Sequence, residues 1–518
     1  MSEMTRREFG RNLAGAVGMT ALASVLSENM PFARADNKPN IVFVCSDQHS
    51  YKYTGYTGHP IVKTPNLDRI ASHGVVFTNA YCGHPVCVAS RSSMMTGMYA
   101  SDCNSFCNST VWDGSHPLWG TRLRGAGYYC RAIGKMDLND DFDTGFEEIN
   151  THHGHRHNPD ITSLFRRPVA YRIDERDGVD GGFRKKRHED ASRTESTINF
   201  LSNESRKLNQ PWALYVGFTE PHPGFVALKQ YYEMYPTYGV DMPNIPPGHL
   251  DELHLVFQEL RHFKRIATPI LEERIRRARA GYYGLISELD EYIGQIWDKL
   301  EQTDQLENTV FIYTSDHGES LGEHGLWYKN NLYDVASHIP LVVAGYDLPK
   351  RVTVDTPVAH VDICATLFDL AGAKIPSTMR GHSLLPLMYG KSGQHPGFAY
   401  SECHSEGNCT GSFMIRKGGW KYIHFTWYDD LLFNVAEDPG ELNNLINDPD
   451  TKRIQSELKD ILHSQVNPEE VTVRAFKTQE RMLQDMVNRM TEQELFETFQ
   501  GRMGPGLAHA LAAKCKGR

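Results

Sequence analysis

No Cys-x-x-Cys pair occurs in the chain, although it holds 10 cysteines. That absence removes a structural zinc cluster from consideration, and ten thiols among 518 residues do not make a disulfide framework. At most, Cys103 with Cys107 or Cys403 with Cys409 would pair in an oxidising compartment. A basic excess is also missing, since 54 Lys and Arg stand against 64 Asp and Glu. Nucleic-acid binders show the opposite balance, so no nucleic-acid partner is expected, and an anionic substrate would need its own basic pocket. Long low-complexity tracts are absent, which argues against disorder, and no internal repeat is visible. Past the first 35 residues, no stretch is long and apolar enough to span a membrane.

What is present starts with a targeting pattern. "TRREFGRNLAGAVGMTALASVL" sets Arg6 and Arg7 before an apolar run too short to cross a bilayer, and "FARAD" offers cleavage after Ala35. We read residues 1–35 as a twin-arginine signal, in preference to a Sec signal or an uncleaved anchor. The protein is then exported, to the periplasm or outside the cell.

The rest alternates between buried strands and helices. "PNIVFVCSDQ" and "NTVFIYTSDHG" are apolar runs that end abruptly in polar pairs, Asp47-Gln48 and Asp316-His317. "YYCRAIGK" and "WALYVGF" are further strands, and an amphipathic helix is predicted from Glu272 to Leu300. The alternation implies an α/β sandwich around a large, mostly parallel sheet, with ligands beyond the carboxyl ends of its strands. After about residue 375, "FAYSEC", "SFMIRKG", "WKYIHF" and "LLFNV" predict a smaller antiparallel sheet. The division expected is a main domain over 36–375, an α+β subdomain over 376–465 and a helical tail over 466–518. The tail packs either on the body or on a second copy of the chain.

The two strand-end pairs offer carboxylate, amide and imidazole ligands to a divalent cation. Each pair alone is a weak signal, because an Asp at a strand end is more often a helix cap. Cys87, in "GHPVCVASRSSMMTGMY", stands where a helix begins. It could be a thiolate nucleophile, an inert buried thiol or the precursor of something else. "RKKRH" (184–188) reads as a solvated basic loop and "HHGHRH" (152–157) as a polar one.

The stretch Cys87-Val88-Ala89-Ser90-Arg91 with Thr96-Gly97 resembles the signature of the formylglycine sulfatases, members of the alkaline-phosphatase superfamily. "SDHGESLGEHGLWYKNNLYDVASHIPLVVAG", "GKMDL", "GFTEPHPGF" and "LFNVAEDPGELNN" match that family in order over nearly the whole mature chain. The resemblance implies that a maturase oxidises Cys87 to formylglycine, whose hydrate attacks sulfur and later expels sulfate. It implies further that Asp47, Gln48, Asp316 and His317 hold the metal, calcium or alternatively manganese. Arg91 would steady the diol, Lys135 and Lys329 clamp sulfate oxygens, and His222 protonate the leaving alkoxide. Ala89 replaces the commoner proline, Asp137 a frequent histidine, Gln48 a frequent aspartate and His317 a frequent asparagine.

Those departures, with "SECHSEG", look most similar to the glucuronate-2-sulfatase branch (the arylsulfatase K type), with features of choline sulfatases and phosphonate monoester hydrolases. They imply a sulfated carbohydrate substrate, for example a 2-O-sulfated uronic acid in a polysaccharide, with Asp137 and His404 near the sugar. A phosphodiesterase or phosphonate monoester hydrolase is one alternative. An inactive glycan-binding module is another, against which the intact set of site residues argues.

Overall fold

The computed structural model describes residues 38–153, 160–166 and 171–517. The signal reading of residues 1–35 and most of "HHGHRH" fall outside the described residues. Eight strands form the central sheet: β1 (Asn40–Ser46), β2 (Gly74–Phe77), β3 (Tyr129–Lys135), β4 (Glu147–His152), β5 (Trp212–Gly217), β6 (Thr309–Ser315), β7 (Leu341–Gly345) and β8 (Val352–Val354). Their order is β8-β2-β7-β6-β1-β5-β3-β4, and β7 alone runs against the others.

The innermost strands β1, β5 and β6 are apolar almost throughout because both faces of the sheet are covered. Ile41 and Phe43 of β1 pack with Met94 and Met95 of helix α1 (Cys87–Thr96) on one face. Val42 and Val44 meet Leu289, Ile293 and Ile296 of the long helix α2 (Glu272–Gln302) on the other. Ile363 and Leu367 of α3 (His360–Leu370) complete the first layer. Helix α1 ends at Gly97, whose φ of 71° gives the left-handed cap that a side chain would resist.

A separate antiparallel sheet follows, built of sequential neighbours β9 (Phe398–Cys403), β10 (Ser412–Lys417), β11 (Trp420–Phe425) and β12 (Leu431–Asn434). Helix α4 (Lys452–Gln465) covers it through Leu458 and Leu462. The tail forms α5 (Pro468–Arg489), α6 (Glu492–Met503) and α7 (Pro505–Cys515). Leu495, Phe499 and Met503 pack on Leu164 and Cys107, so the tail rests on the body of its own chain.

Two expectations need correction. Cys103, Cys107, Cys403 and Cys409 all lie outside any disulfide. Cys103 faces the Thr96 hydroxyl and Cys107 that of Ser163, while Cys403 lies 3.4 Å from the Ser405 hydroxyl, so neither suggested disulfide forms. Within "RKKRH", Arg184 leaves the solvated loop to pair with the buried carboxylates of Glu220 and Glu288.

Candidate functional site

Strand register brings the two polar pairs together. Ser46 lies opposite Ser315 on the parallel strands β1 and β6, so Asp47 and Asp316 leave the sheet side by side. The Asp316 amide donates to the Ser46 carbonyl at 3.1 Å, and the Gln48 amide donates to Asp316 Oδ1 at 3.0 Å. Gln48 holds φ at 73°, a conformation uncommon outside glycine and concentrated at functional turns. Asp47 N bonds the Glu220 carbonyl at 3.4 Å, which tethers the loop carrying His222 to the same edge.

Asp47, Cys87, Asp316 and His317 each present one ligand atom, all within 4.8 Å of one another and all buried. His317 Nδ1 is bonded to the Gly318 carbonyl at 3.0 Å, so it carries the proton and Nε2 is the acceptor, 3.3 Å from Cys87 Sγ. The Gln48 amide nitrogen donates to Glu319, which turns its oxygen inward to accept from Lys329 Nζ at 2.8 Å. Glu319 is itself held by the backbone amides of Leu321 and Tyr328 at 2.8 and 2.6 Å. Two carboxylates, an amide oxygen and an imidazole nitrogen are a donor set that fits a hard divalent cation.

Cys87 is the first residue of α1, and the Val88 amide of that first turn donates to Asn108 Oδ1 at 3.2 Å. Its sulfur lies 3.0 Å from Lys329 Nζ and 3.7 Å from Asp47 Oδ1. One turn on, Arg91 is fully buried and fixed at three points: Asp316 Oδ2 at 2.9 Å, the Lys135 carbonyl at 2.7 Å and the Tyr215 hydroxyl at 2.8 Å. Lys135 is ion-paired with Asp47, and Asp137 stands 3.1 Å from its ammonium. His222 Nδ1 is bonded to the Pro223 carbonyl at 2.7 Å, leaving Nε2 as the other site for a proton.

Burial and the neighbouring Cys87 sulfur push the Asp47 carboxyl up, but the ammonium groups of Lys135 and Lys329 outweigh them and hold it well below the ordinary range. Asp316 is raised instead: burial and the charge of Asp47 together exceed the help of His317 and Arg91. Burial works against the charge of Lys135, yet Asp137 and Asp47 keep its pKa well above the usual value.

Gln48, Lys135, His222 and Lys329 line one cleft of about 630 Å³. A groove of about 640 Å³ on α5, lined by Glu470, Arg474 and Glu480, carries none of these groups. Two residues expected near the sugar, Asp137 and His404, are not among those lining this cleft. Asp137 is fully buried and backs Lys135 rather than reaching the cleft wall. His404 is buried between Phe106 and Phe413 and pairs with Glu402 at 3.2 Å. The residue that reaches the cleft from this segment is Glu406. Reading the sequence also missed Glu319, Tyr215, Lys264 and Arg502; the first lies inside the quoted "SDHGE" block, while the others have no local signature.

Comparison with known proteins identifies the family and the fold. The sulfatase family matches residues 39–373, and the family "N-sulphoglucosamine sulphohydrolase, C-terminal" matches residues 322–467. Arylsulfatase K of Gallus gallus is 30% identical over 462 residues, spanning 84% of this chain and 83% of that protein. A choline-sulfatase of Rhizobium meliloti (strain 1021) is 31% identical over 435 residues, spanning 80% and 83%. Among solved structures, a phosphonate monoester hydrolase of Agrobacterium radiobacter superposes with a TM-score of 0.68 at 24% identity, over 83% of this chain and 95% of that one. A 2-O GAG sulfatase superposes with a TM-score of 0.65 at 24% identity, over 83% and 92%. These structures share the alkaline-phosphatase-like fold. On these grounds the chain belongs to the sulfatase family, the hydrolases of sulfuric esters.

Proposed function

We propose that this protein is an exported sulfatase of sulfated carbohydrates, working with a formylglycine at position 87 and a divalent cation. A 2-O-sulfated uronic acid within a polysaccharide is the substrate favoured by the motif set. The observation that carries the reading is the meeting of Cys87 with Asp47, His317 and Lys329 at the start of a helix. Asp47, Gln48, Asp316 and His317 would hold the cation, calcium or manganese. The formylglycine hydrate would supply the oxygen nucleophile, and the cation would withdraw charge from it.

The chain's own groups have defined tasks. Lys135 and Lys329 remain ammonium ions in a nearly dry site and offset the charge on sulfate oxygens. The positive end of the α1 dipole acts in the same sense. With Nδ1 committed to Pro223, His222 uses Nε2 to hand a proton to the leaving alkoxide. Arg91, with its three anchors, keeps Asp316 and the first turn of α1 in fixed relation. We further propose twin-arginine export, a catalytic body over 36–375, the antiparallel-sheet subdomain over 376–465 and the helical tail over 466–518. No helix among the described residues is long and apolar enough to cross a membrane.

Sulfate release from a panel of sulfated glycans tests this reading; no release from any of them, with aryl sulfate turned over, would remove the carbohydrate. A second reading, hydrolysis of phosphonate monoesters, is favoured by the superposition on two such hydrolases with TM-scores of 0.68 and 0.69. A paired assay with 4-nitrophenyl sulfate and 4-nitrophenyl phenylphosphonate separates the two by the larger kcat/KM.

A further inference from the structure

Glu406 lines the same cleft as Lys135, His222 and Lys329. It is only 6% exposed, and its Oε2 has no hydrogen-bond partner among the described residues. A buried carboxylate oxygen without a donor is costly, and native proteins seldom leave one so. Two cations on which its charge acts, Lys264 and Arg166, are engaged elsewhere. Lys264 Nζ bonds the Trp327 carbonyl at 3.2 Å and Asn330 Oδ1 at 2.8 Å. Arg166 is occupied by Gln479 and by the carbonyls of His404, Ser405 and Asn408.

The helical tail reaches the same cleft through Arg502, near the end of α6. The Arg502 carbonyl accepts from the Ile173 amide at 2.8 Å, and its Nη1 donates to Asp174 at 3.1 Å, with 41% of the side chain exposed. Residues 39–373 and 322–467 carry the family matches, so Arg502 lies in a part of the chain beyond both. Among the described residues of this wall, Arg172, Lys264 and Arg502 face four carboxylates, Asp160, Asp174, Glu175 and Glu406. Arg172 pairs with Asp160 and Asp174, Lys264 with Glu175, and Arg502 with Asp174. Among the described residues such a wall has no surplus cation for a second sulfate. It presents fixed donors beside fixed acceptors, which is what sugar hydroxyls match.

We propose that Glu406 and Arg502 form a hydroxyl-reading subsite for the sugar that bears the scissile sulfate, with the Glu406 carboxylate accepting from one hydroxyl and Arg502 donating to another. The subsite rests on the sulfated-carbohydrate reading and is tested separately from it. In the full chain, kcat/KM is measured for a 2-O-sulfated uronate-containing disaccharide and for 4-nitrophenyl sulfate, which has no sugar hydroxyl. The ratio of the two values should fall about tenfold in Glu406→Gln and in Arg502→Gln, and Arg502→Lys should recover part of it. An unchanged ratio in both Gln variants overturns the subsite.

Calorimetric binding of the disaccharide to Cys87→Ala, with and without Glu406→Gln, distinguishes the two claims. Weaker binding on Glu406→Gln supports the subsite even if the intact enzyme releases no sulfate from the disaccharide, an outcome that would defeat the substrate reading instead. Equal binding, with the disaccharide desulfated normally, overturns the subsite and spares the reading.

Discussion

At the scale of single residues, the site concentrates charge that water barely reaches, and each group is held by others. Cys87→Ala should lower sulfate release at least a thousandfold or so, since nucleophile removal elsewhere costs comparable factors. Its melting temperature should barely move, because a small side chain is exchanged at a helix start; differential scanning fluorimetry beside the sulfate assay checks both. His222→Ala should cost about a hundredfold on sugar sulfates and far less on 4-nitrophenyl sulfate, whose leaving group needs no proton. Equal losses on the two substrates would contradict the acid role. Cys87, Asp47 and Asp316 were legible in the sequence because each sits in a run of recognisable texture, a helix start or a strand end. The burial of Asp137 behind Lys135 was not, since nothing local says which way a polar residue past a strand will turn.

At the scale of elements, parallel register does the positioning. Adjacent strands β1 and β6 end level with each other, and that alone carries residues 268 positions apart to hydrogen-bond distance. The alternation of strand and helix, and helix α2 to within two residues of its end, could be read from periodicity, because a helix laid across a sheet must repeat its apolar face. Strand order, and the reversal of β7, could not: they depend on contacts between distant segments. Helix α2 also contains Gly281, where propensity alone favours alanine by about 1 kcal/mol. A Cβ there would lie 1.9 Å from the carbonyl oxygen of Phe225, in the loop that carries His222. Gly281→Ala should therefore destabilise the fold by about 1–3 kcal/mol through overpacking, and should reduce turnover of sugar sulfates as well. A denaturant melt with unchanged or higher stability would contradict this packing.

For the whole molecule, stability should fall in acid because several histidines are buried in neutral form. Burial, with help from His249 and nearby lysines, lowers the His324 pKa to about 3, and the ring stacks on Tyr333 with centroids 3.8 Å apart. Burial also takes His360 to about 3 and His59 to about 4. An unfolded chain protonates these rings near pH 6.5 while the folded one does not, so the unfolded state binds more protons and gains on acidification. The share of His324 between pH 7 and pH 5 comes to about 2 kcal/mol. Urea melts of His324→Gln at the two pH values should show a pH dependence reduced by about that amount.

The tail was legible as amphipathic helices but not as part of the cleft, since Arg502 looks like any surface arginine until α6 is docked. The central claim joins all three scales: an oxidised residue 87 works within a metal site assembled from two strand ends. Peptide mass spectrometry of the active, purified enzyme tests it most directly. The account predicts that the peptide carrying residue 87 has the mass of an aldehyde or its hydrate, in a proportion that tracks specific activity. A fully active enzyme carrying only an unmodified cysteine there would contradict it.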